Sequence, residues 1–211
     1  MAYSDVKAQF LGLLNRRDIT PSLTDTFMGF GIQRIQRELR VPSMEKIVEA
    51  STDGTAKIDV PGDLLQIISV HTNDQVNQKK LIRTDLQTIL NQSKIPGTPQ
   101  FYYREGSSIY LGPYPPSGTT IFIHYYADVS SLTADTDTNW ITEVAPALLI
   151  YAALAYAADY YLDDRKQLFE ASYQQIVDQL TIMAMQDEVE NASISPAYDS
   201  TPTYVGPYYG R

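Results

Sequence analysis

Apolar residues fall at helical spacing through the first forty positions. Val6, Phe10, Leu13 and Leu14 share one face, which predicts a helix from Ser4 to Asn15 with Ser4 as its N-cap. A second helix has clear start chemistry: Thr20 stands where a capping hydroxyl belongs and Pro21 takes the first helical position. Leu23, Phe27, Phe30, Arg34, Ile35 and Leu39 carry its period onward. Pro42 pushes Val41 away from helix, so the element ends near Arg40.

From Glu45 to Asp128 the pattern changes to short extended runs separated by turn residues. Lys46–Ala50 and Lys57–Val60 flank Asp53-Gly54 and read as a hairpin. Pro61-Gly62-Asp63 is a turn into a strand over Leu64–Thr72, and Lys79–Ile82 is a further short strand. Thr84 is placed to cap a short helix reaching Asn91, with Leu86, Ile89 and Leu90 as its apolar positions. Gln100–Arg104 and Ser108–Leu111 flank Glu105-Gly106-Ser107, a second hairpin. Thr119–Tyr126 alternates strictly, with Ile121, Ile123 and Tyr125 on one side and Phe122, His124 and Tyr126 on the other.

Helical spacing returns after the polar run Thr133–Asn139. Trp140 to Leu162 is apolar nearly all round and carries seven alanines after Val144, which suits a helix at the centre of a bundle or at a subunit contact. Pro146 is compatible with a helix only near its start, or else marks a kink. Asp163-Asp164 ends the run. A last helix over Arg165–Asp187 places Leu168, Phe169, Tyr173, Ile176, Val177, Leu180 and Met183 on one stripe. The expected fold class is therefore α+β. An antiparallel helical bundle is formed by residues 1–44 and 131–190, as an N-terminal helix pair plus a C-terminal αα-hairpin. A small antiparallel β-domain over residues 45–130 is inserted in it, and residues 191–211 form an extended C-terminal arm.

That arm has no hydrophobic period and is rich in Pro, Gly, Ser and Thr. Fully extended, its 21 residues reach roughly 70 Å, far enough to cross onto another subunit. Tyr198, Tyr204, Tyr208 and Tyr209 are amphipathic anchors of the kind enriched at interfaces. With Arg211 they are the candidate partner-binding residues.

Charge sharpens the picture because of where it sits. The chain has 211 residues and a net charge of −9, and residues 131–190 hold eleven acidic side chains against only Arg165 and Lys166. An acidic surface repels phosphate, so this segment does not grip nucleic acid by counterion release. It reads either as a wall that DNA passes without sticking or as a solvated helix face. With no cysteine, disulfides and thiolate chemistry are excluded and a reducing site of synthesis is allowed. The N-terminal stretch lacks the basic and apolar regions of a secretory signal, and the apolar run Val144–Ala158 is short for a membrane span. No membrane partner is expected.

Chemistry is thinly represented. His71 and His124 fall on expected strands, outside any ligand spacing, so no metal or other cofactor is expected. Gly29-Phe30-Gly31 lies within a helical pattern and marks close packing or a kink rather than a phosphate loop. Gly106-Ser107-Ser108 is no nucleophile elbow. Asp163-Asp164 and Asp135/Asp137 read first as caps and linker, with a hard-cation site the weaker alternative. Phe101-Tyr102-Tyr103 reads as strand core rather than a base-stacking platform. A hydrolase working with carboxylates alone needs a converging acidic pair, and the spacing predicts none. No catalytic residue is assigned.

The order of several short motifs resembles a known family. After the N-terminal helix pair come Val60-Pro61-Gly62-Asp63-Leu64-Leu65, then Pro99-Gln100-Phe101-Tyr102-Tyr103, Gly106, Ile109-Tyr110-Leu111 and Pro113-Tyr114-Pro115-Pro116. The strand ending Tyr125-Tyr126 and Leu132 follow, then the alanine-rich helical hairpin. Over roughly residues 3–187 this is similar to the head-to-tail adaptor (connector) proteins of tailed bacteriophages, especially short-tailed ones. The resemblance implies a structural virion protein at the head–tail junction, assembled in the host cytoplasm. It further implies a ring of copies of the chain, usually twelve-fold, docked beneath the portal protein and presenting a platform to a tail or nozzle protein. DNA would pass through the lumen as non-specific cargo, and the C-terminal extension would clasp the portal. Another virion component, such as a tail-tube or capsid-associated protein, is the alternative.

Overall fold

The computed structural model describes residues 1–74 and 77–191, and the candidate residues Tyr198, Tyr204, Tyr208, Tyr209 and Arg211 lie outside the described residues. The described part is α+β, with six α-helices and two four-stranded sheets.

Helix α1 runs Tyr3–Leu14 and α2 runs Pro21–Glu38. Thr20 caps α2 as its position predicts, its Oγ1 accepting from the Leu23 N–H at 3.3 Å. Ser4 does not cap α1. The N-cap is two residues earlier, at Ala2, because the Tyr3 and Ser4 N–H groups bond at 3.0 Å to the carbonyls of Asp137 and Asp135. Tertiary contacts here replace a side-chain cap. Val6, Phe10 and Leu14 are buried with Tyr3, whereas Leu13 is exposed.

The middle of the chain forms eight strands: β1 Glu45–Ser51, β2 Lys57–Asp59, β3 Leu64–Asp74, β4 Asn77–Lys80, β5 Ile82–Arg83, β6 Phe101–Glu105, β7 Ser108–Gly112 and β8 Thr120–Ala127. One sheet has the order β1-β8-β3-β4 and the other β2-β7-β6-β5. The pairings are antiparallel except β5 with β6, which is parallel, a departure from the purely antiparallel insertion expected. β6 and β7 form the expected hairpin, with Glu105 opposite Ser108 and Gly106 at φ +56°.

The other expected hairpin does not form: β1 pairs with β8 along its whole length, while β2 crosses to β7. Two local features turn the chain away. Thr52 is tied to the loop before β8 by Thr52 N–H to Thr119 O at 3.0 Å and Gly118 N–H to Thr52 O at 2.8 Å. Asp53 accepts the Thr55 N–H at 2.9 Å, closing an Asx turn in a connection too long for the two-residue hairpin loop. Alternation on β8 is as the sequence predicts, with Ile121, Ile123, Tyr125 and Ala127 buried. They meet Ile58, Tyr102, Ile109 and Leu111 of the second sheet in one apolar cluster.

A short helix, α3 (Leu86–Gln92), lies on β7 and β6. Its cap is Asp85, not Thr84, with Asp85 Oδ1 accepting from the Thr88 N–H at 2.9 Å. The approach to β7 is close: a Cβ on Gly112 would stand 2.7 Å from Gln92 Cβ.

The long apolar run expected as one helix is two, α4 (Trp140–Val144) and α5 (Pro146–Tyr160). Ala145 separates them at φ −139°, ψ 59°, because Pro146 lacks an N–H and disfavours helical geometry in the residue before it. Asn139 and Thr142 close a reciprocal capping box on α4, each side chain accepting the other's backbone N–H at 3.1 and 3.0 Å. Helix α6 (Lys166–Asn191) completes the described chain. α5 packs against α1, α2, α4 and α6. Its contact with α2 is tight at Gly31, where a Cβ would lie 3.1 Å from Leu149 Cδ1 and 3.3 Å from the Ala153 backbone N. This is the close packing expected of the Gly29-Phe30-Gly31 stretch, and it resides in Gly31 alone, since Gly29 faces open space.

Candidate assembly surfaces

Several polar side chains of this protein tie distant elements together. Arg34 on α2 is the clearest case. Its Nε bonds Glu38 Oε1 at 3.0 Å and its Nη1 bonds Glu170 Oε2 on α6 at 2.9 Å, with Nη2 completing a bidentate pair to Glu170. The guanidinium lies 4.0 Å over the ring of fully buried Tyr173, whose hydroxyl donates to Glu38 Oε2 at 2.8 Å. Arg34 holds the Glu170 carboxyl below its ordinary range, and burial followed by the Glu38 bond raises the Tyr173 phenol.

Asp63, in the Pro61-Gly62-Asp63-Leu64 motif, has a comparable role in the β region. It accepts from Lys46 Nζ on β1 and from the Tyr125 hydroxyl on β8, both at 2.8 Å. Lys46 lowers the Asp63 carboxyl, while burial and then Asp63 push Tyr125 up to about 12. The motif that helped signal the family is thus a latch joining the turn before β3 to its neighbour β8 and to β1 beyond it.

The two histidines lie near each other on the first sheet. His124 Nε2 is 2.8 Å from Glu45 Oε2, and His71 Nε2 is 3.0 Å from Ser69 Oγ. Burial, then the charges of Lys80 and His124, lower the His71 pKa. Among the described residues no group of three or more His, Cys, Asp or Glu side chains is arranged to hold a metal ion.

The acidic segment is less bare than its composition suggests. Asp135 pairs with Lys7 at 2.7 Å, Asp159 with Lys166 at 2.5 Å and Asp163 with Arg165 at 2.7 Å. Asp137 accepts the Thr133 and Ala134 N–H groups, each at 2.8 Å. The caps-and-linker reading describes Asp137 and Asp163, whose carboxylates accept nearby backbone N–H groups. Arg165 also reaches the Leu13 and Leu14 carbonyls at the end of α1, so the turn between α5 and α6 is clamped to the N-terminal helix.

Residues 1–198 match the family model for the SU10 adaptor protein. The chain belongs to the SU10 adaptor protein family. This bears out the resemblance to phage head-to-tail adaptors and makes the protein a structural bacteriophage component of the virion neck. A comparison with curated proteins finds no match.

For an adaptor the informative feature is exposed apolar surface, and here the sequence misplaced several residues. Phe30, Leu168 and Met183, expected on buried stripes, are exposed, at 45%, 62% and 58%. On α6 the buried side is Phe169, Tyr173 and Val177, with Ile176 and Leu180 half-buried. Leu162, between α5 and α6, is 90% exposed and adopts the left-handed conformation at φ 53°. It ends α5 in a Schellman arrangement, with Asp163 N–H to Ala158 O at 2.8 Å and Leu162 N–H to Asp159 O at 3.3 Å. Glycine usually takes that position; here a leucine holds it with its side chain fully presented to solvent. Near α1 and α2, a cleft of about 460 Å³ is lined by Lys7, Leu11, Ile19 and Asp25. Among the described residues no helix is long and apolar enough to cross a membrane.

Proposed function

We propose that this adaptor forms a ring, twelve-fold as the resemblance implies, beneath the portal protein of a phage head, and carries a tail or nozzle protein on its other side. The family match over residues 1–198 carries this reading. The division of the chain agrees with it. A helical body (residues 1–44 and 131–190, an N-terminal pair with an αα-hairpin) supplies most of one apolar cluster, joined by Val129 with Leu65 and Tyr126 packed on it, and the β-insertion at 45–130 builds a second. A heterologous ring needs two unlike lateral faces, which two such bodies provide.

The 191–211 segment is the arm that clasps the portal, with Tyr198, Tyr204, Tyr208, Tyr209 and Arg211 as its contacts. Packaged DNA passes through the lumen as non-specific cargo, and part of the acidic 131–190 segment faces it. No cofactor or catalytic residue enters this role. Negative-stain imaging of the protein with and without a purified portal ring tests it. An added annular layer under the portal is expected; an unaltered portal outline, or protein bound only to tail tubes or capsid shells, overturns it.

A further inference from the structure

Two arginines stand on the core-facing side of the second sheet. Arg104 on β6 lies opposite Ile109 of β7, two places from Tyr102 opposite Leu111, and Arg83 on β5 lies beside Tyr102. Residues paired across strands share a face, and Ile109 and Leu111 are fully buried between the sheets. With Leu65 and Ile67 of β3, in the first sheet, Arg83, Tyr102 and Arg104 line a pocket of about 140 Å³.

A charge on a core-facing position normally brings its counter-charge with it. Here, among the described residues, no carboxylate lines the pocket and neither arginine has one within ion-pair distance. The nearby acids are engaged elsewhere: Asp63 is held by Lys46 and Tyr125, and Asp85 caps α3. An inward charge on an edge strand deters stray pairing, which accounts for Arg83 on β5. It does not account for Arg104, because β6 has a strand on either side.

A single carboxylate suits this pocket. Two guanidiniums offer forked donors, Leu65 and Ile67 offer an apolar wall, and the space is too small for a nucleotide. The net charge of −9 also opposes a polyanion such as DNA. The same chain presents a group of the right kind. Asp164 is exposed and, among the described residues, in no ion pair. It stands two residues from Leu162, which is 90% exposed, and Arg165 clamps their turn to the end of α1.

We propose that Arg83, Tyr102 and Arg104 form a carboxylate-binding pocket whose occupant is the Leu162–Asp164 turn of a second copy of this chain. Asp164 meets the two arginines and Leu162 covers the apolar wall. Pocket and turn are different surfaces, as a head-to-tail contact between identical subunits requires. The proposal rests on the ring reading above and names one lateral contact within it, so Asp164 belongs to that contact rather than to the lumen.

The chain contains no cysteine, so single substitutions give clean attachment points. Gln66→Cys, at the pocket rim, and Lys166→Cys, beside the turn, are both at exposed positions. The two proteins are treated with a short bismaleimide, separately and mixed, alone and with a portal ring, after circular dichroism has checked that each is folded. A cross-linked dimer is expected in the mixture and in neither variant by itself. Arg83→Glu added to the first, or Asp164→Arg added to the second, should lower the mixed yield about tenfold, and the two together should restore most of it.

Absence of the mixed product with and without portal overturns the contact, even where the protein still joins the portal. Equal product from Lys166→Cys alone means a symmetric contact and also overturns it, as does a mixed yield that neither charge reversal changes. Loss of duplex-DNA retention by Arg83→Glu with no mixed product assigns the pocket to phosphate instead. A charge-sensitive mixed product with no portal association supports the contact and overturns the portal reading.

Discussion

Helices α5 and α6 lie against each other yet relate to solvent in opposite ways. Nine residues of α5 are buried, on every side of the helix, and alanines let α1, α2 and α6 approach it closely. α6 buries the side facing α5 and α2 and leaves Leu168, Ile182, Met183 and Met185 exposed. Both segments look apolar and helical in sequence, but one is covered by its neighbours on every side and the other keeps an apolar face exposed. Apolar content alone does not say which surface a residue serves; the number of neighbours that reach it does.

The contrast yields graded expectations. Leu149→Ala on α5 removes a fully buried side chain beside Gly31 and should cost about 3 kcal/mol in chemical denaturation. A loss under about 1 kcal/mol would mean that α5 is not the organising element.

Arg34→Met, which breaks the α2–α6 tie, should cost about 1 kcal/mol, a modest figure because the Glu38 and Glu170 side chains are 40% and 45% exposed. Its signature is in acid. Arg34 depresses the Glu170 carboxyl from an ordinary value of 4.5, so the pair's contribution is complete above that pH. It is lost as pH falls through the lower folded value. The variant's stability should therefore fall less steeply on the acid side than the parent's, and parallel acid limbs would show that the pair contributes nothing.

Leu162→Gly should have the opposite sign for the subunit. Relief of the left-handed leucine stabilises the fold by about 1 kcal/mol. Assembly should suffer if the exposed side chain is used by a partner, a split that thermal melting and sedimentation read separately. Smallest of all, Ile182→Ser on the exposed side of α6 should leave subunit stability within about 0.5 kcal/mol of the parent. A larger loss would place Ile182 in the fold rather than at its edge.

What the sequence made legible was local. Thr20-Pro21 marked the start of α2, strict alternation marked β8, and Gly106 marked the hairpin of β6 and β7. In each case a short-range steric or hydrogen-bonding rule acts without help from distant residues. The misreadings were nonlocal. The β1–β2 hairpin failed because Thr119 and Gly118, far along the chain, capture Thr52. Ser4 failed as a cap because Asp135 and Asp137 carbonyls satisfy the N-terminus of α1. Leu168 and Met183 have the period of a buried stripe, and only the placement of α5 shows which side of α6 is covered. The candidate residues of the C-terminal arm carry no helical or strand period, so composition was the only guide to them.

The central claim is that the helical core around α5 makes the subunit, while the segment after α6 makes the connection to the portal. Removing residues 192–211 tests it most directly, with thermal unfolding and co-sedimentation with a portal ring measured on the same preparation. The shortened protein should unfold at the temperature of the full chain and fail to co-sediment. Undiminished co-sedimentation, or a collapse of the unfolding temperature, would contradict the account.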